Sequence, residues 1–242
     1  MTMENNSTDT MPQQPPLQIG MLLYPGMILL DFAGPQASLG MHGQTHLLWK
    51  TLDPIATDSG VSLLPTTTFA DCPADLDILF VPGGFGTNDA MQDSEVLAFL
   101  ADSGKTARYV TSVCSGSLIL GAAGLLDGYK AATHWACYDA LEALGVEAVH
   151  SRVVVDRNRF TGGGVTAGLD FGLTLLAEMR GETVAKVTQL ALEYDPKPPF
   201  DAGTPEAAGP ELTGIALGLL GNLLNEGVEI AKASRRNRVP AA

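Results

Sequence analysis

Apolar positions along this chain follow two alternating rhythms. Short, nearly unbroken apolar runs closed by glycine or proline give way to stretches in which apolar residues recur at helical spacing. Residues 18–23 (QIGMLL) read as a buried first strand ended by Tyr24-Pro25-Gly26, and residues 29–39 as a helix that Gly34-Pro35 interrupts. A second strand is predicted over 45–52, and an edge hairpin over 61–68 around Pro65. A central strand over 77–81 (DILFV) stops abruptly at Pro82-Gly83-Gly84; a helix over 94–101, a strand over 109–113 and a helix over 115–123 follow. The second half predicts an amphipathic helix over 135–144, a hairpin over 153–161 turning near Asn158, and helices over 167–179 and 182–192. Prolines at 196–199 then break the chain before a last helix over 212–233, with Leu217, Leu220 and Leu224 on one face. No internal repeat is visible. Strands separated by helices call for right-handed crossovers, hence an α/β fold whose mainly parallel sheet is covered on both faces.

Composition narrows this picture. A chain of 242 residues that is 45% hydrophobic can bury one sizeable core. The expected organisation is a polar, proline-rich, disordered leader over 1–17, one α/β domain over 18–200, and a C-terminal loop and helical extension over 201–242. The leader lacks the apolar core of a secretory signal, and the apolar stretches 117–126 and 215–224 are too short and glycine-rich to cross a bilayer. A net charge of −13 argues against nucleic-acid or membrane partners, which need clustered Lys and Arg. The one basic run, RRNR at 235–238, reads as a solvated tail. Three widely spaced cysteines, an odd number without a Cys-x-x-Cys pair, point to a reducing cytoplasmic location rather than a disulfide framework.

The candidate chemistry lies where an open parallel sheet collects ligands, at the carboxyl ends of its strands. Three unusual segments fall there: Leu30-Asp31, Pro82-Gly83-Gly84 and Val113-Cys114-Ser115. A strand that turns directly into a helix forces the junction residue into a strained conformation with its side chain presented. It demands small neighbours, and Ser112 and Gly116 flank Cys114 two positions away on either side. The following helix start should favour a Cys114 thiolate and offer N–H groups to an oxyanion, with the Gly83-Gly84 turn adding bare N–H groups alongside. A lone cysteine beside an apolar helix is otherwise a small core residue, and an Asp before Gly-Pro serves equally as a cap or turn former.

The ordered segments YPGMILLDFAGP, LFVPGG, TSVCSGSLILGAAGLLDGYKAATHW and TGGGVTAGLDFGLTL together resemble the ThiJ/PfpI branch of the class I glutamine amidotransferase-like superfamily, and within it the isonitrile hydratases. The resemblance spans about residues 18–200. It implies a flavodoxin-like α/β sandwich, a homodimer, no cofactor, and an isonitrile as small-molecule substrate. Position by position, Cys114 matches the elbow nucleophile, Asp31 the acidic residue against it, and Gly84 with the Ser115 backbone the oxyanion region. Where such hydratases usually carry Thr after the nucleophile, this chain has Ser115. Similar domains also occur in AraC-type regulators, but the 42 residues from 201 onward are Leu- and Gly-rich and leave no room for a usual paired helix-turn-helix module. A glyoxalase-like or redox-sensing thiol is the other alternative.

His134 reads as a backbone-bonded structural imidazole that can also line the pocket, since Ser115 stands where many superfamily members place the histidine of a Cys–His pair. His42, His46 and His150 fall outside the motifs. Cys72 and Cys137 read as structural, and Cys137 with His134 would give a metal only two ligands, so no metal is expected. Thr161-Gly162-Gly163-Gly164 lacks the Lys-Ser/Thr ending of a nucleotide loop and reads as a tight turn from which Gly163 or Thr166 touches the pocket.

Overall fold

In a computed structural model, which describes residues 14–238, eleven strands alternate with eight α-helices. The strands are β1 (Leu17–Leu22), β2 (Gly43–Trp49), β3 (Ile55–Ala56), β4 (Ser62–Leu63), β5 (Thr67–Thr68), β6 (Ile78–Val81), β7 (Tyr109–Ser112), β8 (Lys130–Ala131), β9 (Glu147–Ala148), β10 (Val153–Asp156) and β11 (Arg159–Gly162). The helices are α1 (Leu29–Leu39), α2 (Thr87–Ala90), α3 (Ser94–Thr106), α4 (Gly116–Ala122), α5 (Tyr138–Ala143), α6 (Ala167–Arg180), α7 (Glu182–Ala191) and α8 (Pro205–Asn237). Seven strands form one sheet in the order β10-β11-β7-β6-β1-β2-β5, parallel except for the β10–β11 hairpin. This is the mainly parallel, helix-covered α/β architecture that the sequence predicts.

The inner strands are apolar on both faces because helices cover both. All four residues of β6 and of β7 are buried, and Ile19, Met21, Phe80, Val110 and Phe160 join one continuous core with Phe171, Leu175 and Leu176 of α6. Of the expected leader, residues 1–13 lie outside the described residues, while Leu17 already pairs in β1.

Five expectations need correction. Gly34-Pro35 does not interrupt α1; the helix runs through Pro35, because these small residues are where α6 packs closely. A Cβ on Gly168 would come 3.0 Å from Pro35, and one on Gly172 would come 2.1 Å from the Ser38 hydroxyl. Residues 61–68 are not one hairpin: β4 pairs back with β3, and β5 beyond Pro65 joins β2 in parallel. The helix expected over 135–144 opens as a 3-10 turn (Trp135–Cys137) before α5. The basic run is no solvated tail at its end, since Arg238 donates to Gly121 O at 2.6 Å, Leu144 O at 2.8 Å and Asp127 Oδ1 at 2.8 Å.

The last helix starts earlier than predicted, at Pro205, with a non-helical Gly209 just inside it, and bends by 63° between residues 221 and 223. Its first part keeps Leu212, Ile215 and Leu219 exposed, whereas Leu223 and Ala231 beyond the bend are buried. Among the described residues no single helix is long and apolar enough to cross a membrane.

Candidate active site

Three neighbouring strands, β1, β6 and β7, deliver the site at their carboxyl ends. After β1 the chain turns at Tyr24-Pro25-Gly26, and Met27 bridges Gly84 while Ile28 N–H donates to Gly83 O at 2.9 Å. That pairing locks the loop after β6 against the start of α1. Asp31 stands in the first turn of α1, fully buried, and its Oδ2 accepts the Gly83 N–H at 2.9 Å.

Between β7 and α4 only Val113, Cys114 and Ser115 intervene, and Cys114 takes φ +54°, the left-handed region that costs a non-glycine residue about 1–2 kcal/mol. Its surroundings over-determine that geometry. Cys114 N–H donates to Gly163 O at 2.7 Å and Gly162 O at 3.2 Å, and Cys114 O accepts from Thr133 Oγ1 at 3.0 Å and Ser117 Oγ at 3.2 Å. Glycine is required at two positions: a Cβ on Gly116 would sit 2.2 Å from Val81 O, and one on Gly83 2.5 Å from Ser115 N and 2.8 Å from Asp31 Oδ2. Thus Cys114, Asp31, Ser115 and Gly83 converge, and Cys114 is only 4% exposed.

Two electrostatic features follow from burial. Desolvation raises the Asp31 carboxyl to about 7, against the pull of the Gly83 N–H and of the Cys114 thiol that faces it. Burial, and then the Asp31 charge, push the Cys114 thiol well above its usual range, with the Ser115 N–H opposing. Burial and the adjacent carboxylate thus act against the thiolate that the helix start is expected to favour, and α4, with seven residues, is a short helix to oppose them. As pH rises, the pair gives up its first proton near neutrality and then holds one proton between sulfur and carboxylate.

The bare N–H groups expected of Gly83 and Gly84 are already engaged. Gly83 N–H serves Asp31, and Gly84 N–H donates to Ser115 Oγ at 3.0 Å, so neither is an open oxyanion donor. The Ser115 N–H instead acts on the Cys114 sulfur, favouring its charged form. His134 is half-buried, accepts the Ala136 N–H on Nδ1 at 3.3 Å, and is held neutral by burial. With Thr166, Gly163, Trp135 and Tyr138 it lines a cavity of about 720 Å³ whose wall does not include Cys114. Thr166 is exposed and accepts from Arg152, so the structure does not bring it to the thiol. Cys137 is buried with its thiol pushed up to about 12, and all three cysteines are free. Among the described residues no three His, Cys, Asp or Glu side chains gather as a metal site.

Two residues escaped the sequence reading. Thr87 Oγ1 lies 2.8 Å from Ser115 Oγ, and Tyr24 OH lies 3.3 Å from Thr87 Oγ1, all three side chains being buried. A hydroxyl opening a helix immediately after the Gly-rich loop is the signal that points to Thr87.

A strained cysteine between strand and helix, a buried carboxyl against it and a glycine turn beside both define the site of one protein class. The chain belongs to the DJ-1/PfpI family, whose model matches residues 18–178. It is 53% identical over 194 residues to the isonitrile hydratase of Pseudomonas putida, covering 79% of this chain and 85% of that protein. The structure is similar to that of a ThiJ/PfpI family protein from Pseudomonas syringae, with a TM-score of 0.86 at 47% identity, covering 97% of each chain. The HTH-type transcriptional regulator GbdR of Pseudomonas aeruginosa is 33% identical over 190 residues, which are 74% of this chain but only 51% of the regulator.

Proposed function

We propose that this protein hydrates isonitriles to N-substituted formamides, with Cys114 as nucleophile and Asp31 as the proton carrier. The observation that carries this reading is the strained, buried Cys114 held by Gly83 and Ser115 beside Asp31, whose Oδ2 takes the Gly83 N–H while its Oδ1 is buried without a hydrogen-bond partner, with the carboxyl raised to about 7 and so suited to carry a proton at neutral pH. The similarity to the Pseudomonas putida isonitrile hydratase supplies the substrate class.

The reactive form is the singly protonated pair. As sulfur bonds to the terminal isonitrile carbon, the thiol proton moves to Asp31 and from there to that carbon, leaving a thioimidate, Cys–S–CH=N–R. The Asp31 carboxylate then takes a proton from water as the water oxygen adds to the same carbon, and the proton passes to nitrogen. Breaking the C–S bond, with the new hydroxyl proton returning to sulfur through Asp31, releases the formamide. Substrate and water alone balance the cycle. The Ser115 N–H at the sulfur steadies its charge as it attacks and leaves.

The same reading takes residues 18–200 as the catalytic unit and 201–242 as its extension. It places the protein in the cytoplasm, in keeping with three free cysteines, and as a homodimer, in keeping with the exposed Leu212, Ile215 and Leu219 of α8. The test is a parallel assay on alkyl isonitriles and 2-oxoaldehydes. Formamide formation is expected, and turnover in deuterium oxide should place deuterium on the formyl carbon. Protein that converts the oxoaldehydes and no isonitrile overturns the proposal.

A further inference from the structure

Behind Ser115 lies a closed group of three hydroxyls whose hydrogens can be counted. Tyr24, Thr87 and Ser115 are at most 1% exposed, so bulk solvent does not reach them to complete their bonding. Each contributes one hydrogen. Tyr24 OH donates to Pro82 O at 3.0 Å, and Thr87 Oγ1 donates to Gly84 O at 2.7 Å. With the Thr87 hydrogen on that carbonyl, the 2.8 Å contact between Thr87 and Ser115 can be made only by the Ser115 hydrogen. Ser115 Oγ also accepts the Gly84 N–H at 3.0 Å. In this arrangement the single Ser115 hydrogen is committed to Thr87 and is not available to the neighbouring Cys114.

The same atoms allow a second kind of arrangement. Thr87 can turn its hydrogen to Ser115 across 2.8 Å, which frees the Ser115 hydrogen, and Tyr24 can either stay on Pro82 O or follow onto Thr87 across 3.3 Å. Only hydroxyl rotations are involved. The cost is that Gly84 O loses its hydroxyl donor, which sets the first arrangement as the resting one.

We propose that Thr87 is a positioning residue that directs the Ser115 hydroxyl, holding its hydrogen back in the resting enzyme and releasing it toward the adduct on Cys114 during turnover. A serine hydroxyl rotates among three staggered positions, so its direction is set by its partners, and Thr87 is the side chain that can both take and give the relevant hydrogen. The charge that gains from the released hydrogen is the nitrogen of the thioimidate as water adds, so the catalytic part of this inference rests on the hydratase reading above.

Two experiments test it. Neutron diffraction from the deuterium-exchanged resting protein should show the Thr87 deuteron on Gly84 O and the Ser115 deuteron on Thr87; a Ser115 deuteron already facing Cys114 overturns the proposal whatever the substrate is. With benzyl isonitrile as probe, Thr87→Val, which keeps the side-chain shape, should lose about tenfold in kcat with KM within about twofold, the worth of one hydrogen bond in the transition state. Thr87→Ser should restore most of it, and Cys114 in Thr87→Val should be alkylated by iodoacetamide as in the wild type. Wild-type kcat in Thr87→Val, or a loss that Thr87→Ser does not restore, overturns it. Absence of benzyl isonitrile turnover in the wild type would count against the hydratase reading and the released arrangement together, with the resting arrangement still decided by the deuteron positions.

Discussion

Two strand-to-helix junctions lie side by side at the same end of the sheet, β7 into α4 and β11 into α6, and they are built in opposite ways. The first leaves three residues between strand and helix and puts a non-glycine residue at φ +54°. The second spends four residues, Gly163 to Thr166, and none of them has a positive φ. The relaxed junction supports the strained one: the carbonyls of Gly162 and Gly163 hold the Cys114 N–H. The difference shows that strain at the elbow is sustained by bonds from an adjacent turn that carries none itself, as required when a reactive geometry must persist in the folded state.

Removing the thiol from the strained junction should have the largest effect. Cys114→Ala and Cys114→Gly are both expected to abolish turnover. Their stabilities should invert the usual order: at φ +54° the glycine variant should be more stable than the alanine variant by about 1 kcal/mol, although glycine ordinarily loses that contest. Urea unfolding of the two proteins reads the difference, and an alanine variant more stable than the glycine variant would show that the elbow stores no strain.

Asp31→Asn comes next, with a loss of about a hundredfold or more in kcat. In the wild type, kcat/KM should rise with pH through about 7, because the fully protonated pair lacks the carboxylate that accepts the thiol proton. Stability should move the other way. The folded carboxyl, at about 7, binds its proton more tightly than the unfolded one, so its contribution is complete at acid pH below the unfolded pKa and is lost as pH rises toward and through about 7. Asp31→Asn, which carries no charge to bury, should therefore gain on the wild type as pH rises, by on the order of 4 kcal/mol between pH 4 and pH 8. It should also speed Cys114 alkylation, since the Asp31 charge is one of the influences that hold the thiol up. A stability difference that does not change with pH would remove the buried carboxylate from the account.

Much of this was legible in the chain because local chemistry and tertiary role coincide. Residues 109–116 encode the elbow through a β-rich run, small flanks and an abrupt helix, and Pro82-Gly83-Gly84 encodes the loop that fits beneath it. What stayed hidden depends on partners far away in sequence. Pro35 remains inside α1 because α6, more than a hundred residues later, packs against it through Gly168. The Gly83 and Gly84 N–H groups look free in the sequence, yet Asp31 and Ser115 occupy them. The resting thiol is a similar case. The helix start that favours a thiolate is visible locally, and the resemblance already sets Asp31 against Cys114, whereas the burial that opposes the thiolate most appears only in the fold.

The smallest expected effect sharpens the contrast between the junctions most directly. Gly163 and Gly83 are both buried glycines in turns beside Cys114, and sequence alone does not rank them. A Cβ on Gly163 would meet nothing nearer than Ser151 O at 3.4 Å, then Arg152 O at 3.6 Å, and its φ is not in the left-handed region. Its tie to the elbow is a carbonyl, which a methyl group leaves in place. Gly163→Ala should accordingly stay within about 0.5 kcal/mol of wild-type stability and within about twofold of its kcat. Gly83→Ala would drive its methyl against Ser115 N and Asp31 Oδ2, neither of which can withdraw without moving the pair, so it should cost about 2 kcal/mol or more and most of the activity. Measured together by thermal melts and initial rates, the two alanines weigh a turn that holds the elbow from outside against a turn that fills the space between nucleophile and acid. If Gly163→Ala proved as damaging as Gly83→Ala, the supporting junction would share the tolerance limits of the strained one, and the division of labour between them would be lost.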